Sequence, residues 1–393
     1  MVYLGRIRMG SKVEILHNRM VDQLLRQGFL RSPRLEEAFR AVPRHLFLPG
    51  FPLEVVYSGQ AIPTHFGPDG LPTSSSSEPA IMTVMIEQLQ LQPGGRVLEV
   101  GAGTGYNAAI LAYLTGPEGT VTTIDIDADV VEEARGNLER AGFPRVRTVL
   151  GDGWMGVPED APYDRIVVTV GVWDLSPYWV EQLRIGGVLV APLWFGVGVQ
   201  ASIAFRKEET RLRSLSVAPC GFMRMRGPHA GPEGYARIDG WHVCMDEIRL
   251  DRINLLKRLL STEPRREPTP DLPPGWFTRL ALQEPEVIAL HREGGWHHTM
   301  RGIFHAAQES LALVESLGRS VRGMLAFGAQ SAMQRLKETI SHLKPLDLRS
   351  LEVEAVPSSC SDEGGDRLVL QRRSFRFLLG EKQLGLDRGG GVW

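Results

Sequence analysis

The chain is poor in cysteine. Only Cys220, Cys244 and Cys360 occur in 393 residues, an odd number with no CxxC pair. That argues against a disulfide framework or a cysteine-based zinc site and favours a reducing compartment. An excess of charge of one sign is also missing. A formal net charge of −2 gives no long-range attraction for nucleic acid or an anionic membrane, so neither is expected as a partner. No uninterrupted apolar run approaches the roughly 18 residues that span a bilayer. The opening Met1-Val-Tyr-Leu-Gly-Arg6 lacks the apolar core and small-residue cleavage site of a secretory signal. The expectation is a cytoplasmic chain, with its oligomeric state left open.

What is present is an ordinary soluble composition, 43% apolar and 23% charged, on a chain long enough for two domains. Its most informative stretch is Arg96-Val-Leu-Glu-Val-Gly-Ala-Gly-Thr-Gly-Tyr106. It reads as a buried strand entering a glycine-rich turn and then a helix. A dinucleotide fingerprint places glycines at its first, third and sixth positions. Gly101 and Gly103 fit, but the sixth position is Tyr106 and the third glycine comes one residue early, at Gly105. Glu99 stands on the strand just before the turn. Together these favour a neutral or cationic ligand bearing hydroxyls and amines over a pyrophosphate. S-adenosyl-L-methionine has that character.

From Arg96 onward strands and helices alternate. Strand-like runs cover Val97–Val100, Val121–Ile124, Val146–Leu150, Ile166–Val170, Val188–Pro192, Ala201–Phe205 and Leu212–Val217. Helical patterns cover Tyr106–Leu114, Ala128–Ala141 and Tyr178–Leu183. The prediction is an α/β fold with a doubly wound, Rossmann-like sheet of seven strands, the last two an antiparallel pair. That is the count of a class I methyltransferase. Ahead of it, residues 13–48 read as two short helices, the second with the stripe Leu35, Ala38, Phe39 and Val42. A Pro/Gly-rich loop then runs from Phe51 to Pro72. The run Thr73-Ser-Ser-Ser-Ser-Glu-Pro79 reads as a helix start, with serine as N-cap.

Beyond Met225 the texture changes. Gly227–Gly234 and Glu263–Pro274 look like connectors, the second stiff and polar. A helix is expected within Asp246–Leu260, another near Ala329–Leu343, and a terminal strand around Ser374–Leu379. The division predicted is a catalytic domain at 1–228 and a smaller α+β accessory domain at 229–393 with a possible role in substrate recognition.

Four features fall at the C-terminal ends of the first four strands, where open α/β sheets bind ligands. Gly101, Gly103 and Gly105 follow Glu99. Asp125, with Ile126 beside it, ends the second strand, where a carboxylate can take both hydroxyls of a ribose. Gly151-Asp152-Gly153 follows the third, where Asp152 can accept from an adenine amino group. Thr169-Val-Gly171 closes the fourth, beside the place of a methyl acceptor, with Trp173 just past it. Singly, each suits a blander role: a βα turn, a helix-capping carboxylate (Asp127 being better placed than Asp125 for that), or a turn aspartate. Their shared sheet edge is what favours the cofactor. His291, His297 and His298 around Gly294-Gly-Trp296 match no zinc spacing and read as a polar hairpin, so no metal is expected. The tryptophans Trp154, Trp179 and Trp194 read as core and cleft wall.

Residues 20–226 resemble protein-L-isoaspartate O-methyltransferases in a series of blocks. These are Met20-Val-Asp-Gln-Leu-Leu25, Ala41-Val-Pro-Arg-His-Leu-Phe-Leu-Pro49, Tyr57, Ile62-Pro63, Ser77-Glu-Pro79, Val97–Tyr106, Gly151-Asp-Gly153, Ala161-Pro-Tyr-Asp164 and Gln182-Leu-Arg-Ile-Gly-Gly187. The resemblance implies a carboxyl methyltransferase using S-adenosyl-L-methionine on isoaspartyl or aspartyl residues of a protein or peptide. Ser77 would inherit the active-site serine, placing the acceptor carboxylate by hydrogen bonding, with Ser76, Thr169, Gly171 and Trp173 near the acceptor. The departures all fall on the acceptor side. Gly59 stands where an acidic residue is usual, the loop Thr64–Pro72 is longer, Ser75 and Ser76 replace Thr and Ile, and Glu78 replaces Gln. Two alternatives stay open: a tailoring enzyme that converts one aspartate of a dedicated peptide to an ester or aspartimide, and a silent methyltransferase-like binding module.

Overall fold

In a computed structural model of the chain, residues 11–68, 70–231, 234–292, 298–318, 320–360, 365 and 367–382 are described. Helix α1 (Lys12–Arg26) starts at a capping box in which Ser11 and Glu14 bond each other's backbone amides. Helix α2 (Pro33–Ala41) starts at Ser32 with Pro33 in its first turn, and the stripe Leu35, Ala38 and Phe39 is buried as its spacing predicts. The stretch read as a loop holds a short helix, α3 (Leu53–Val56), and a strand, β1 (Ile62–Phe66).

The serine run departs most from the sequence reading. Ser74 to Ser76 lie in strand β2 (Pro72–Ser76), antiparallel to β1, and do not cap a helix. Helix α4 (Pro79–Leu89) has Glu78 at its N-cap position, and no side chain caps it. The cause is alternation. Ser74 and Ser76 are buried while Thr73 and Ser75 are half-buried, so the run forms a two-faced ribbon. Pro79 then opens the helix without an amide to cap.

The alternating region follows the sequence closely: β3 (Arg96–Val100), α5 (Tyr106–Thr115), β4 (Thr120–Asp125), α6 (Ala128–Arg140), β5 (Arg147–Leu150), β6 (Tyr163–Val168), α7 (Pro177–Gln182), β7 (Leu183–Gly196), β8 (Val199–Lys207) and β9 (Leu212–Pro219). The strands lie in the order β5-β4-β3-β6-β7-β8-β9. They are parallel from β5 to β7, and antiparallel at β7–β8 and β8–β9. This is the seven-stranded doubly wound sheet of a class I methyltransferase. Helices α4, α5 and α6 and the N-terminal helices pack on one face through a cluster that includes Phe39, Met85, Ile110 and Leu138.

A second sheet follows: β10 (Gly234–Ile238), β11 (Trp241–Met245), then helix α8 (Leu250–Leu260), β12 (Arg265–Glu267), helix α9 (Trp276–Gln283), β13 (Val287–Arg292), β14 (His298–His305), β15 (Ser310–Leu317), β16 (Ser320–Gly328) and helix α10 (Ser331–His342). It is antiparallel, in the order β10-β11-β13-β14-β15-β16-β12. Of these elements the sequence points only to α8, α10 and the hairpin of β13 with β14, and two of the others show why. β12 lies inside the supposed stiff connector, a short, charged edge strand, and α9 is an eight-residue helix with only two turns of periodicity.

The chain then returns to the first sheet. β17 (Leu351–Pro357), β18 (Leu368–Gln371) and β19 (Phe375–Glu381) extend it past β9 to ten strands, with Glu354 opposite Arg213 and Ala355 opposite Leu212. β17–β19 lie beyond the expected boundary at 228/229 and belong to the first sheet. One apolar cluster runs from Leu98 in the first sheet through Leu280 of α9 and Leu336 of α10 to Val314 and Met324 of the second. Among the described residues no helix is long and apolar enough to cross a membrane.

Candidate active site

The C-terminal ends of β3, β4, β5 and β6 open onto a single cleft of about 990 Å³. Of the residues singled out from sequence, Ser76, Ser77, Glu99, Gly101, Gly103, Asp125, Ile126, Asp152, Gly153 and Thr169 line it. Gly105, Gly151, Gly171 and Trp173 do not.

The glycine turn explains itself sterically. Gly101 has φ 103°, and a Cβ there would lie 2.4 Å from Thr169 Oγ1. A Cβ on Gly103 would lie 3.1 Å from the carbonyl oxygen of Ser75, so the turn touches strand β2 directly. Gly105 faces away from the cleft, where it lets α5 pack closely on Ala134 and Leu138 of α6.

Asp125 organises this turn. One oxygen accepts from the amides of Ala102 (2.9 Å) and Gly103 (3.3 Å), the other from Ile126 (2.8 Å) and Asp127 (3.4 Å). Two of the four bonds are long. Asp152 uses one oxygen on the Trp154 amide at 2.9 Å. Ile126 is 39% exposed, enough apolar face for a ring to stack on. Asp127 stands at the N-cap position of α6 without a capping bond, because its carboxylate pairs with Arg226.

Glu99 is wholly buried. Its oxygens accept from Asn107 Nδ2 and Thr123 Oγ1, each at 2.7 Å. Burial raises its pKa to about 7 against the pull of those two bonds. The Thr169 hydroxyl donates to the carbonyls of Val100 and Gly101, so it braces the turn. Gly171 lies behind the wall and exchanges backbone bonds with Met223 and Met225, which holds the segment 222–226 over the cleft. Trp173 is turned toward the C-terminal strands, with the Arg372 guanidinium 3.6 Å above its ring. The expectation that it touches an acceptor finds no support in this placement.

The acceptor side rests on a residue that the sequence reading overlooked. Arg44 is fully buried and donates to Val56 O (2.9 Å), Gln60 O (3.1 Å), Ser76 O (3.2 Å), Ser76 Oγ (3.2 Å) and Ser77 O (2.9 Å). It forms no ion pair among the described residues, and burial lowers its pKa only to about 10, so it stays cationic. Its signal in the sequence is a lone charge inside the apolar run Ala41–Pro49. With its carbonyl held by Arg44, Ser77 lines the cleft, and its hydroxyl has no partner among the described residues. His291 and His298 fall on β13 and β14. His291 stacks on His242, His298 bonds Glu315 at 3.0 Å, and His297 lies outside the described residues.

The family model for Protein-L-isoaspartate(D-aspartate) O-methyltransferase (PCMT) matches residues 15–226, over half of the chain. The chain belongs to this family. It is an S-adenosyl-L-methionine-dependent carboxyl methyltransferase of that kind. It is 36% identical over 223 residues to the protein-L-isoaspartate O-methyltransferase of Hyperthermus butylicus, covering 55% of this chain and 90% of that protein. The Methanopyrus kandleri protein of the same name is 36% identical over 218 residues, covering 55% and 92%. A solved protein-L-isoaspartate O-methyltransferase aligns over 88% of this chain and 99% of its own, at 26% identity and TM-score 0.52. That last alignment extends well past residue 226, so much of the C-terminal region has a structural counterpart.

Proposed function

We propose that the protein methylates the free α-carboxylate of isoaspartyl residues in proteins or peptides, giving an ester that cyclises to a succinimide. The observation that carries this is the junction of the two half-sites, where the cofactor turn at Gly103 abuts Ser75 and places Ser77 beside the cradle. The donor set fits S-adenosyl-L-methionine. Asp125 would take the ribose hydroxyls, exchanging its two long amide bonds for them. Asp152, through its remaining oxygen, would hold the adenine amino group, with Ile126 and Gly153 against the ring. Glu99 lies behind Gly101 as the acid nearest a cationic group, while Gly105 and Gly151 shape the turns from outside.

The cofactor supplies an electrophilic methyl group on a sulfonium. An acceptor carboxylate is already ionised at neutral pH, so no strong general base is required. The protein's part is alignment in a site that limits water. Ser77 donates its hydroxyl hydrogen bond to one carboxylate oxygen, leaving the other to attack. Ser76 receives Arg44's hydrogen bonds at its oxygen, so its own proton is free to point into the cleft. The ester would then be attacked by the next backbone nitrogen, with methanol leaving.

A second reading, modification of an aspartate in one dedicated peptide, draws support from Arg349 and Lys382, two residues of the C-terminal region that reach the cleft. A labelled-methyl assay separates the two, using an isoaspartyl peptide and its aspartyl twin. The expected result is labelling of the isoaspartyl peptide alone and a loss of roughly tenfold to hundredfold with Ser77→Ala. Equal labelling of both peptides favours the second reading. Cofactor binding without labelling of either would leave only a binding module.

A further inference from the structure

The cleft continues past Ser77 as a groove between α4 and β9. Ile81 and Val84 of α4 form one wall, half-buried, and Leu215 of β9 forms the floor. The β8–β9 ladder pairs Ala204 with Ser216 and Phe205 with Ser214, skipping Leu215. This bulge takes Leu215 out of alternation and into the apolar cluster that also holds Ile81. Ile81, Val84 and Leu215 thereby keep an apolar strip open to the cleft, and Glu87 and Gln88 continue the lining at the last turn of α4.

At its far end the groove meets residues contributed by the C-terminal region. Arg349 lies in the turn Leu348–Ser350, packed on β9. Lys382 follows β19, with its backbone amide on Ser350 O at 2.9 Å. Both side chains are exposed, and neither makes a hydrogen bond or ion pair among the described residues. Glu87, the acid at this end, already accepts the Ser32 amide at 2.8 Å.

We infer that this groove holds the acceptor polypeptide in extended form and that Arg349 and Lys382 select an acidic residue in it. The inference rests on the acceptor reading above. The 11 residues of α4 set the span. At about 1.5 Å per residue the helix is roughly 16 Å long, which an extended chain covers in about five residues. The selected acid therefore lies about five residues from the methylated position. The C-terminal region thus acts on specificity, and a compact enzyme ending near residue 226 would lack both cations.

Fluorescent peptides test this. Each carries one isoaspartyl residue and, five residues to its N- or C-terminal side, an Asp-Glu, Ser-Ser or Lys-Lys pair. The readouts are kcat/KM for methyl labelling and Kd by anisotropy with S-adenosylhomocysteine bound. On one side, wild type is expected to favour the acidic over the serine pair by about fivefold, chiefly through KM, as two exposed ion pairs allow. The double variant Arg349→Glu with Lys382→Glu is expected to invert the order in favour of the lysine pair. Retained S-adenosylhomocysteine binding certifies its fold. Equal Kd values for all three pairs on both sides, or a preference that survives charge reversal, overturns the inference. Failure to label even the serine-pair peptide overturns the isoaspartyl reading instead, and the anisotropy arm still decides the groove.

Discussion

The two halves of the cleft are built from different material. The cofactor half is mostly backbone: a glycine turn, four amides gathered on Asp125, and an Asx turn at Asp152, all within residues 99–154. The acceptor half is held by side chains from far apart. Arg44 carries Ser76 and Ser77, and residues 349 and 382 close the distant end. Backbone cradles demand glycine at fixed spacings and so leave a mark in the sequence. A carbonyl cluster gathered by one buried guanidinium leaves almost none. If the halves are physically separate, variants in each should fail in different assays.

The largest effect is expected from Gly101→Ala. The new Cβ would stand 2.4 Å from Thr169 Oγ1 at φ 103°, so the turn must move. Strain of this kind costs about 1–3 kcal/mol, or up to roughly a hundredfold in S-adenosylhomocysteine affinity by calorimetry. Affinity within threefold of wild type would mean that the cofactor lies elsewhere.

Arg44→Lys comes next and should strike the other half. An ammonium has three donors and cannot span five acceptor atoms, so carbonyls of Ser76 and Ser77 lose their tether. Misplacing Ser77 by about an ångström should cut kcat/KM for an isoaspartyl peptide by roughly thirtyfold, with cofactor affinity kept within threefold. A parallel collapse of cofactor affinity would show that Arg44 supports the fold at large and not the acceptor half.

The same contrast governs what the sequence made legible. The buried parallel strands β3, β6 and β7 are legible because such strands read as nearly continuous apolar runs, and the glycine turn carries its own spacing. The serine run misled because Ser before Glu-Pro satisfies local helix-capping chemistry, whereas its pairing with Ile62–Phe66 is a tertiary fact. The surroundings of Trp173 are hidden from the sequence for a related reason. It does follow the fourth strand, but Arg372, nearly two hundred residues away in sequence, covers its ring. The return of β17–β19 to the first sheet has no local signature, since an edge strand joining β9 looks the same in sequence as one joining a separate sheet.

The smallest expected effect concerns Glu99, the one acid of the cofactor half that is sealed from water. Burial lifts its pKa from 4.5 to about 7. Its protonated form therefore favours folding below the unfolded pKa, and that contribution is lost as pH rises from about 4.5 to 7. The α-ammonium group of the bound ligand reverses the preference, because it is held best once Glu99 is ionised. S-adenosylhomocysteine affinity should then rise between pH 6 and 8 by roughly twofold to fivefold, as a shift of half a unit to one unit on binding requires. Glu99→Gln should flatten that rise, since its amide can still accept from Asn107 while the Thr123 hydroxyl rotates to receive from it. The same slope in the variant would place the titration on another group and leave Glu99 as a structural brace between β3, β4 and α5.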